Sequence, residues 1–228
     1  MVIIKKEIIH KVGEKNLANT TEKNLPKATI KRLPQYYRLF KNLVKENVIR
    51  TNSQLISEKI GVDAATIRRD FSLFGELGRR GYGYDTKELR DFFAELLGQD
   101  KETPIVLIGV GNLGHALVNY KFQERNKMRI VQAYDVASNP AVGTTTDSGI
   151  PVYDITELEN RVKSDGIETA IISVNQEHAQ EVTDLLVKSG IKGILNFAPI
   201  RLNVPSDVSV QSIDLTKELQ TLLFFMGE

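Results

Sequence analysis

Hydrophobic residues recur at helical spacing in the first third of the chain. Tyr37, Phe40 and Val44, with Leu33 ahead of them, predict one apolar face of a first helix that starts near Pro34. An amphipathic helix must pack its apolar face against other elements, so this helix is expected to belong to a folded domain.

Two shorter helices are predicted next. Thr51, with Gln54 three residues later, is a capping-box pattern that opens the first of them, and Gly61 closes it as a left-handed cap. Asp63 is a suitable N-cap for the second, which covers about 64–74. A helix, a tight turn containing glycine and a second helix form the helix-turn-helix arrangement.

The second of these helices has one apolar face and one face of small and basic residues. Ile67, Phe71 and Phe74 are expected in the core. Small residues let a helix enter a DNA major groove, and arginine side chains reach guanine edges or phosphates. The alternative is an ordinary solvated surface on which the two arginines pair with Asp63 and Asp70. The residues of the opposite face are Ala65, Arg68, Arg69 and Ser72.

A glycine-rich basic segment follows directly, at 78–84. It predicts a hairpin, because its glycines permit turns, with Arg79 and Arg80 at the tip and Tyr82 and Tyr84 packing along the strands. A basic hairpin after a recognition helix makes a winged helix, and such a wing can insert arginines into a narrow minor groove.

Charge is distributed unevenly along the 228 residues. Residues 1–84 hold 17 Lys and Arg against 8 Asp and Glu, whereas the remainder holds 13 against 21, so a net charge of +1 hides a basic and an acidic part. Such asymmetry indicates a module built for a polyanion joined to one that is not.

The second part of the chain begins after a polar linker. Asp85 is expected to cap one more helix that stops at Gly98, and 99–104 is polar and ends in a proline, which marks a domain boundary. The predicted division is a flexible extension, a DNA-binding domain, a nucleotide-binding domain and a terminal helix, at 1–24, 25–98, 99–212 and 213–228.

A short apolar strand at 105–108 leads into the glycine pattern G-x-G-x-x-G. In a dinucleotide fold the first glycine makes the tight turn, the second lets the backbone approach a pyrophosphate, and the third lets helix and strand pack closely. A second strand, 128–134, ends on Asp135, which lies 21 positions beyond the last glycine, where an acidic side chain would hold the adenine ribose 2′-hydroxyl. The carboxylate favours NAD(H) over NADP(H), because it would repel a 2′-phosphate. The predicted cofactor-binding residues of the turn are Gly109, Val110, Gly111, Asn112, Leu113 and Gly114.

Strand-like and helical segments then alternate to the end of the chain. Strands are predicted at 169–174, 193–197 and 208–210, with helices at 155–163 and 177–189 between them. Alternation of this kind predicts an α/β fold with a doubly wound parallel sheet.

The last helix, from Asp214 to about Phe225, is apolar on more than one face. Exposed apolar surface marks interfaces, so this helix is expected to bury itself in a partner subunit or, alternatively, in its own domain. Its apolar residues are Leu215, Leu219, Leu222, Leu223, Phe224, Phe225 and Met226.

Composition excludes several classes. The absence of cysteine excludes disulfides and thiolate metal sites, and no cluster of metal ligands is visible. No apolar run approaches about 18 residues, and charges at 5–7 interrupt the only apolar stretch near the N-terminus, so neither a membrane span nor a signal peptide is expected. The expectation is a soluble cytoplasmic protein.

From Leu25 to about Phe225 the sequence resembles the Rex family of redox-sensing transcriptional repressors of bacteria. Two departures are a longer N-terminal extension and Asn175, which follows Val174 where the family has a proline. The matching segments are 26–29 (PKAT), 31–34 (KRLP), 36–38 (YYR), 65–71 (ATIRRDF), 74–78 (FGELG), 81–84 (GYGY), 109–114 (GVGNLG) and 193–199 (GILNFAP).

The resemblance implies a homodimer in which each subunit has a winged-helix domain, a Rossmann domain for NADH or NAD⁺, and a C-terminal helix exchanged with its partner. Such a dimer would bind an inverted-repeat operator in double-stranded DNA when NAD⁺ predominates and release it when NADH rises. Lys31, Arg32 and Thr66 join the predicted DNA contacts.

The nicotinamide end would lie near Tyr120, Asp214 and Leu215 of the two subunits. Arg38 is the predicted relay between the domains, through contact with Asp214 or Tyr120.

Two other classes compete with a repressor. An NAD-dependent dehydrogenase with a basic appendage would need a general acid or base near the nicotinamide, and the three histidines, His10, His115 and His178, are poorly placed for that role. A regulator that binds CoA or an acyl-nucleotide would share the glycine turn but does not predict Asp135.

Overall fold

The computed structural model describes residues 25–78, 81–99, 101–120, 122 and 127–227. The predicted extension 1–24 and the two arginines of the wing tip, Arg79 and Arg80, lie outside the described residues. Contacts divide the chain into an N-terminal unit that ends at Lys101 and a C-terminal unit that begins at Glu102.

The first helix of the N-terminal unit, α1, covers Lys27–Lys45. It begins seven residues before Pro34, which lies inside it, so the predicted start was wrong. Of the predicted apolar face, Leu33 and Phe40 are buried as expected, whereas Tyr37 and Val44 are only half-buried. The apolar side chains that α1 buries are Leu33, Tyr36, Leu39, Phe40 and Leu43.

The helix-turn-helix consists of α2 (Ser53–Ile60) and α3 (Ala64–Ser72). Gly61 ends α2 with a φ of 68°, as predicted, and the Asp63 side chain caps α3 by accepting hydrogen bonds from two backbone N–H groups. The predicted capping residue of α2 was wrong. Asn52 accepts the first-turn hydrogen bonds, whereas Thr51 lies in a strand.

A two-stranded antiparallel sheet flanks these helices. It pairs β1 (Arg50–Thr51) with β2 (Tyr84–Asp85), after which α4 (Thr86–Leu96) begins with Asp85 as its cap. The predicted hairpin within 78–84 was therefore wrong in its partner, since β2 pairs with residues before α2. Gly83 permits this pairing, because a Cβ there would lie 2.3 Å from the carbonyl oxygen of Thr51.

Aromatic rings form the centre of the N-terminal core. Phe71 of α3 packs edge-on against Tyr36 of α1 and Tyr84 of β2, with a centroid distance of 5.1 Å in both cases. Phe93 of α4 stacks on Phe40 at 5.8 Å. Helix α3 is thus held from both sides by large apolar groups.

The C-terminal unit contains a six-stranded parallel sheet with the order β5-β4-β3-β6-β7-β8. The direction of winding reverses between β3 and β6, and ligands of such sheets bind in the crevice at that point. Strand β5 was not predicted from the sequence. The strands are β3 (Thr103–Ile108), β4 (Met128–Asp135), β5 (Val152–Asp154), β6 (Thr169–Ile172), β7 (Gly193–Asn196) and β8 (Ser209–Ser212).

Helices cover both faces of this sheet. Val106 and Ile108 of β3 belong to a core with α6 and α7, whereas Ile105 and Leu107 belong to a second core that includes α5. The alternation along one strand establishes the predicted doubly wound α/β architecture. The helices are α5 (Asn112–Val118), a 3-10 turn (Ile155–Glu157), α6 (Leu158–Asp165), α7 (Gln176–Lys188) and α8 (Leu215–Met226).

The last helix, α8, buries none of its side chains within the single chain. Among the described residues, no helix is both long and apolar enough to cross a membrane.

Candidate cofactor and DNA-binding sites

The glycine turn lies between β3 and α5. Gly109 has a φ of 94°, and a Cβ on Gly114 would lie 1.9 Å from the Gly109 carbonyl oxygen, so both positions require glycine. A Cβ on Gly111 would instead meet no atom within 4 Å. The side of the turn at Gly111 is therefore open to a ligand.

Ser173 supports this turn from the neighbouring strand β6. Its hydroxyl donates hydrogen bonds to the carbonyl oxygens of Ile108 and Gly109, at 3.1 and 2.8 Å. Ser173 was not predicted from the sequence as part of the site. Its place directly after β6, at the carboxyl edge of a parallel sheet, is the signal that could have found it.

Asp135 joins the end of β4 to the glycine turn. Its Oδ2 accepts a hydrogen bond from the backbone N–H of Val110 at 2.7 Å and another from the Asn139 amide at 2.8 Å. Its Oδ1 accepts from the backbone N–H of Val136 at 2.8 Å. The predicted acidic residue and the predicted turn thus lie in direct contact, and Asn139, which the sequence did not predict here, holds the same carboxylate.

Of the remaining predicted turn residues, Asn112 begins α5, and Leu113, the next residue of this helix, is half-buried. Asn175 is the N-cap residue of α7 with a φ of −62°. A proline ring imposes a similar φ, so the backbone here is compatible with the proline expected for the family.

Tyr120, Asp214 and Leu215 each make local contacts. The Tyr120 ring is half-exposed and lies 4.6 Å from that of Phe122. The Asp214 side chain caps α8 by accepting from the backbone N–H of Lys217, and Leu215 is exposed. Their predicted role at the nicotinamide stays a prediction.

The exposed surface of α3 carries its two arginines. Arg68 donates from Nη1 to the Ser53 hydroxyl at 2.9 Å, so the first helix of the motif orients it. The alternative in which these arginines neutralise Asp70 does not apply, since its carboxylate accepts from α1 instead. The other predicted residues of this surface are exposed or half-buried: Ala65, Thr66, Arg69 and Ser72.

The basic residues predicted on α1 have different environments. Lys31 and Arg38 are exposed, whereas Arg32 is half-buried and paired with Asp70 at 2.6 Å. On the described part of the wing, Arg50 donates to the Tyr82 carbonyl at 3.3 Å and its guanidinium lies 5.5 Å from the Tyr82 ring. Arg50 was not predicted from the sequence, because its strand partner Asp85 lies more than 30 residues away.

Two family models match the chain, one in each unit. Residues 24–72 match a model described as the N-terminus of a putative DNA-binding protein, and residues 100–200 match one described as a CoA binding domain. The second match covers nearly all of the doubly wound sheet.

Curated and solved relatives extend over both units. The chain is 79% identical over 194 residues to the redox-sensing transcriptional repressor Rex of Lactococcus lactis subsp. cremoris strain MG1363, covering 85% of this chain and 90% of the relative. It is 36% identical, with a TM-score of 0.84, to RSP in a crystal structure with β-NAD⁺ and operator DNA, covering 90% of this chain and 93% of RSP. For RSP with β-NADH the identity is 35%, the TM-score 0.79 and the coverage 90% and 95%.

These relatives are regulators rather than enzymes, so the dehydrogenase alternative is not supported. The matches extend over 90–95% of the length of these relatives. This chain belongs to the Rex family of redox-sensing transcriptional repressors.

Proposed function

We propose that this chain represses transcription by binding operator DNA through its N-terminal unit, and that NADH bound to its C-terminal unit releases the DNA. The observation that carries the proposal is the 2.7 Å hydrogen bond between the Val110 N–H and the Asp135 carboxylate. It combines the glycine turn and the acidic end of β4 into one dinucleotide-type site within a chain whose other unit is a basic winged helix.

The C-terminal unit fits NAD(H) at the glycine turn. Gly111 leaves space for a pyrophosphate, and the first turn of a helix presents N–H groups that have no partner within the helix. The proposed contacts are 109–114 for the pyrophosphate and Asp135 for the adenine ribose, with Tyr120, Asp214 and Leu215 toward the nicotinamide. The nicotinamide supplies the redox signal, because its oxidation state distinguishes NAD⁺ from NADH.

Cofactor choice follows from Asp135. A carboxylate held by three donors stays in place beside the ribose and repels a 2′-phosphate, and the next residues, Val136 and Ala137, carry no cation that could receive one. The proposed ligands are therefore NAD⁺ and NADH rather than their phosphorylated forms.

The N-terminal unit is proposed to place α3 in a major groove. Residues 1–84 carry the excess of positive charge, which supports association with phosphate-rich DNA. The proposed contacts are Ala65, Thr66, Arg68, Arg69 and Ser72 on α3, Lys31 and Arg32 on α1, and Arg79 and Arg80 at the wing.

A homodimer formed through α8 is part of the proposal. Seven large apolar side chains of α8 are 54–72% exposed, which is unusual for a helix that stays in water. A two-fold dimer would place its two recognition helices in half-sites about 34–36 Å apart, or a multiple of that distance, on an inverted repeat.

Coupling between ligand and DNA follows from linkage. A ligand shifts an equilibrium only by its differential affinity for the two states, so DNA must weaken NADH binding by the same factor that NADH weakens DNA binding. We place the DNA-binding domain at 25–98, the NAD(H)-binding domain at 99–212 and the dimerisation helix at 213–228, with Arg38 as the relay toward Tyr120 or Asp214. Because chromosomal DNA and NAD(H) are the proposed ligands, the proposed place of action is the cytoplasm.

The test is a fluorescence-anisotropy titration of an operator selected from random DNA with the full chain. We expect binding without ligand and with NAD⁺, and release with NADH at the same salt concentration. Binding that ignores both nucleotides would contradict the redox role, and steady NADH absorbance over hours excludes turnover as the cause of release. Arg38→Ala and Tyr120→Phe test the relay, which is wrong if NADH-driven release is unchanged in both.

A further inference from the structure

Asp70 is a buried carboxylate in the last turn of α3. Only 2% of the residue is exposed, although Arg68 and Arg69 directly before it lie on the outer surface of the helix. An ionised carboxylate is stable at such a position only when it is paired and hydrogen-bonded.

Three side chains of α1 supply its partners. Thr29 donates from Oγ1 to Oδ1 at 2.8 Å, and Tyr36 donates from its hydroxyl to Oδ2 at 2.6 Å. Arg32 donates to both oxygens, from Nη2 to Oδ1 at 2.7 Å and from Nε to Oδ2 at 2.6 Å. Each oxygen thus accepts two hydrogen bonds, which fills the four lone-pair positions of a carboxylate.

This arrangement is directional in a way that the surrounding core is not. Apolar contacts such as that between Tyr36 and Phe71 hold two helices together but tolerate small rotations and shifts. Four short hydrogen bonds to a bidentate arginine, a threonine and a tyrosine fix both the height and the rotation of α3 on α1. A recognition helix needs a fixed orientation, because its contacts with base edges are lost when the helix rotates.

The negative charge of Asp70 also supports a role in orienting α3. A negative group in the helix that enters DNA weakens the attraction to phosphate, so Asp70 does not serve affinity for DNA in general. Any contribution of Asp70 to DNA recognition must therefore come from the orientation of α3.

We propose that Asp70 is a positioning residue for operator recognition, which sets the orientation of α3 and through it the preference for operator over other DNA. The proposal rests on the proposed function, since it assumes that α3 is the helix that enters the major groove.

The test compares operator DNA with random-sequence DNA of equal length for the full chain and for Asp70→Asn, which is similar in shape and removes one negative charge. We expect operator affinity to fall at least about tenfold, while affinity for random DNA stays the same or rises and its salt dependence becomes steeper. The ratio of the two affinities is the readout, because a loss of folded protein lowers both affinities alike.

Asp91→Asn is the matched control. Asp91 lies on α4 of the same unit, is exposed and pairs with its neighbour Arg90, so the variant makes the same change in charge without touching the Asp70 network. We expect its affinity ratio to equal that of the wild type. Tyr36→Phe and Thr29→Val keep the charge of Asp70 and remove one hydrogen bond each. They replace Asp70→Asn in the comparison if that variant does not fold. We expect each to lower the ratio by a smaller factor.

Parallel loss of both affinities in a network variant that remains folded by circular dichroism, or an unchanged ratio in all three network variants, would overturn the proposal. A fall in the ratio for Asp91→Asn equal to that for Asp70→Asn would also overturn it, because charge alone would then be sufficient. A wild type that shows no preference for any DNA would contradict the proposed function itself, and the wild-type control separates that outcome from the others.

Discussion

The backbone of Gly114 in α5 lies against the carbonyl group of Gly109, so closely that a Cβ on Gly114 would be 1.9 Å from that oxygen. The same carbonyl oxygen accepts the hydroxyl of Ser173 at 2.8 Å. The last glycine of the pattern therefore serves packing within the protein, whereas Gly111, whose Cβ would meet nothing within 4 Å, borders the space proposed for the ligand. The two roles can be separated by substitution.

Gly114→Ala is expected to destabilise the C-terminal unit. The added methyl group must displace backbone, since no flexible side chain can move away from it, and overpacking of this kind costs about 1–3 kcal/mol or more. Circular dichroism melts should show an earlier transition, and NADH affinity should fall with it. An unchanged melting temperature would contradict the packing role.

Gly111→Ala is the companion variant. Gly111 has a φ of −74° and a ψ of −165°, which alanine adopts without strain, so the fold and the melting temperature should be preserved. NADH affinity should still fall, by about tenfold or more, because the methyl group occupies space that the pyrophosphate needs. Full NADH affinity in Gly111→Ala would mean that the ligand does not approach this side of the turn.

Asp135→Ala is expected to weaken NADH binding and to reduce the preference for NADH over NADPH. The variant loses the proposed ribose contact, the repulsion of a 2′-phosphate and the hydrogen bond that holds Val110. Titrations of both nucleotides should show a smaller ratio of their affinities. Asp154→Asn is the control, since Asp154 lies beside Asp135 at the end of β5 and caps its own turn through Thr156. An unchanged affinity ratio in Asp135→Ala would contradict the assignment.

The sequence predicted the parts of the site that depend on local chemistry. The glycine turn needs residues without a side chain at fixed spacing, and Asp63, Asp85 and Gly61 have the types that helix ends require. Such signals are confined to a few neighbouring residues, so they can be recognised in the sequence without knowledge of the tertiary structure.

What the sequence did not predict depends on distant partners. On α1 the prediction chose Tyr37 where Tyr36 is buried, because both are aromatic and the contacts of Tyr36 with Phe71 and Asp70 are made to another helix. The wing strand pairs with Thr51, and Ser173 reaches the turn from another strand. Contacts of this kind leave no periodic trace in the chain.

Leu222→Glu is expected to convert a dimer into a monomer. Leu222 is 54% exposed in the single chain and lies among the apolar residues of α8, so a charge there would be buried in the proposed interface. Light scattering should give twice the chain mass of 25.6 kDa for the wild type and the mass of one chain for the variant. Operator binding should fall as well, because one half-site is lost.

Gln220→Glu is the matched control on the same helix. It adds the same charge at an exposed polar position and should remain dimeric if the apolar residues form the interface. A wild type of single chain mass at micromolar concentration would contradict the role of α8, and dissociation of both variants would point to charge rather than apolar burial.

The stability conferred by Asp70 is expected to depend on pH. Burial alone would raise the pKa of Asp70, but hydrogen bonds from Arg32, Tyr36 and Thr29 outweigh it, and the pKa lies below its usual value. A carboxyl whose pKa is lower in the folded state stabilises the fold above its unfolded pKa, about 3.9, and loses that contribution as pH falls through the folded value.

Removing one partner of a buried pair costs about 3 kcal/mol, so Asp70→Asn should melt well below the wild type at pH 7. The difference in melting temperature between the wild type and Asp70→Asn should narrow below about pH 4, because protonation of Asp70 removes the charge that distinguishes them. Groups that titrate in both proteins affect both melting temperatures alike and do not change this difference. Tyr36→Phe retains the carboxylate with one donor fewer, so the folded pKa of Asp70 should be less depressed. Its loss of stability should begin at the same pH as in the wild type, since the unfolded pKa is shared, but should end at a higher pH and be smaller in total. A gap between wild type and Asp70→Asn that stays constant from pH 7 to pH 3 would show that the ionised carboxylate contributes nothing.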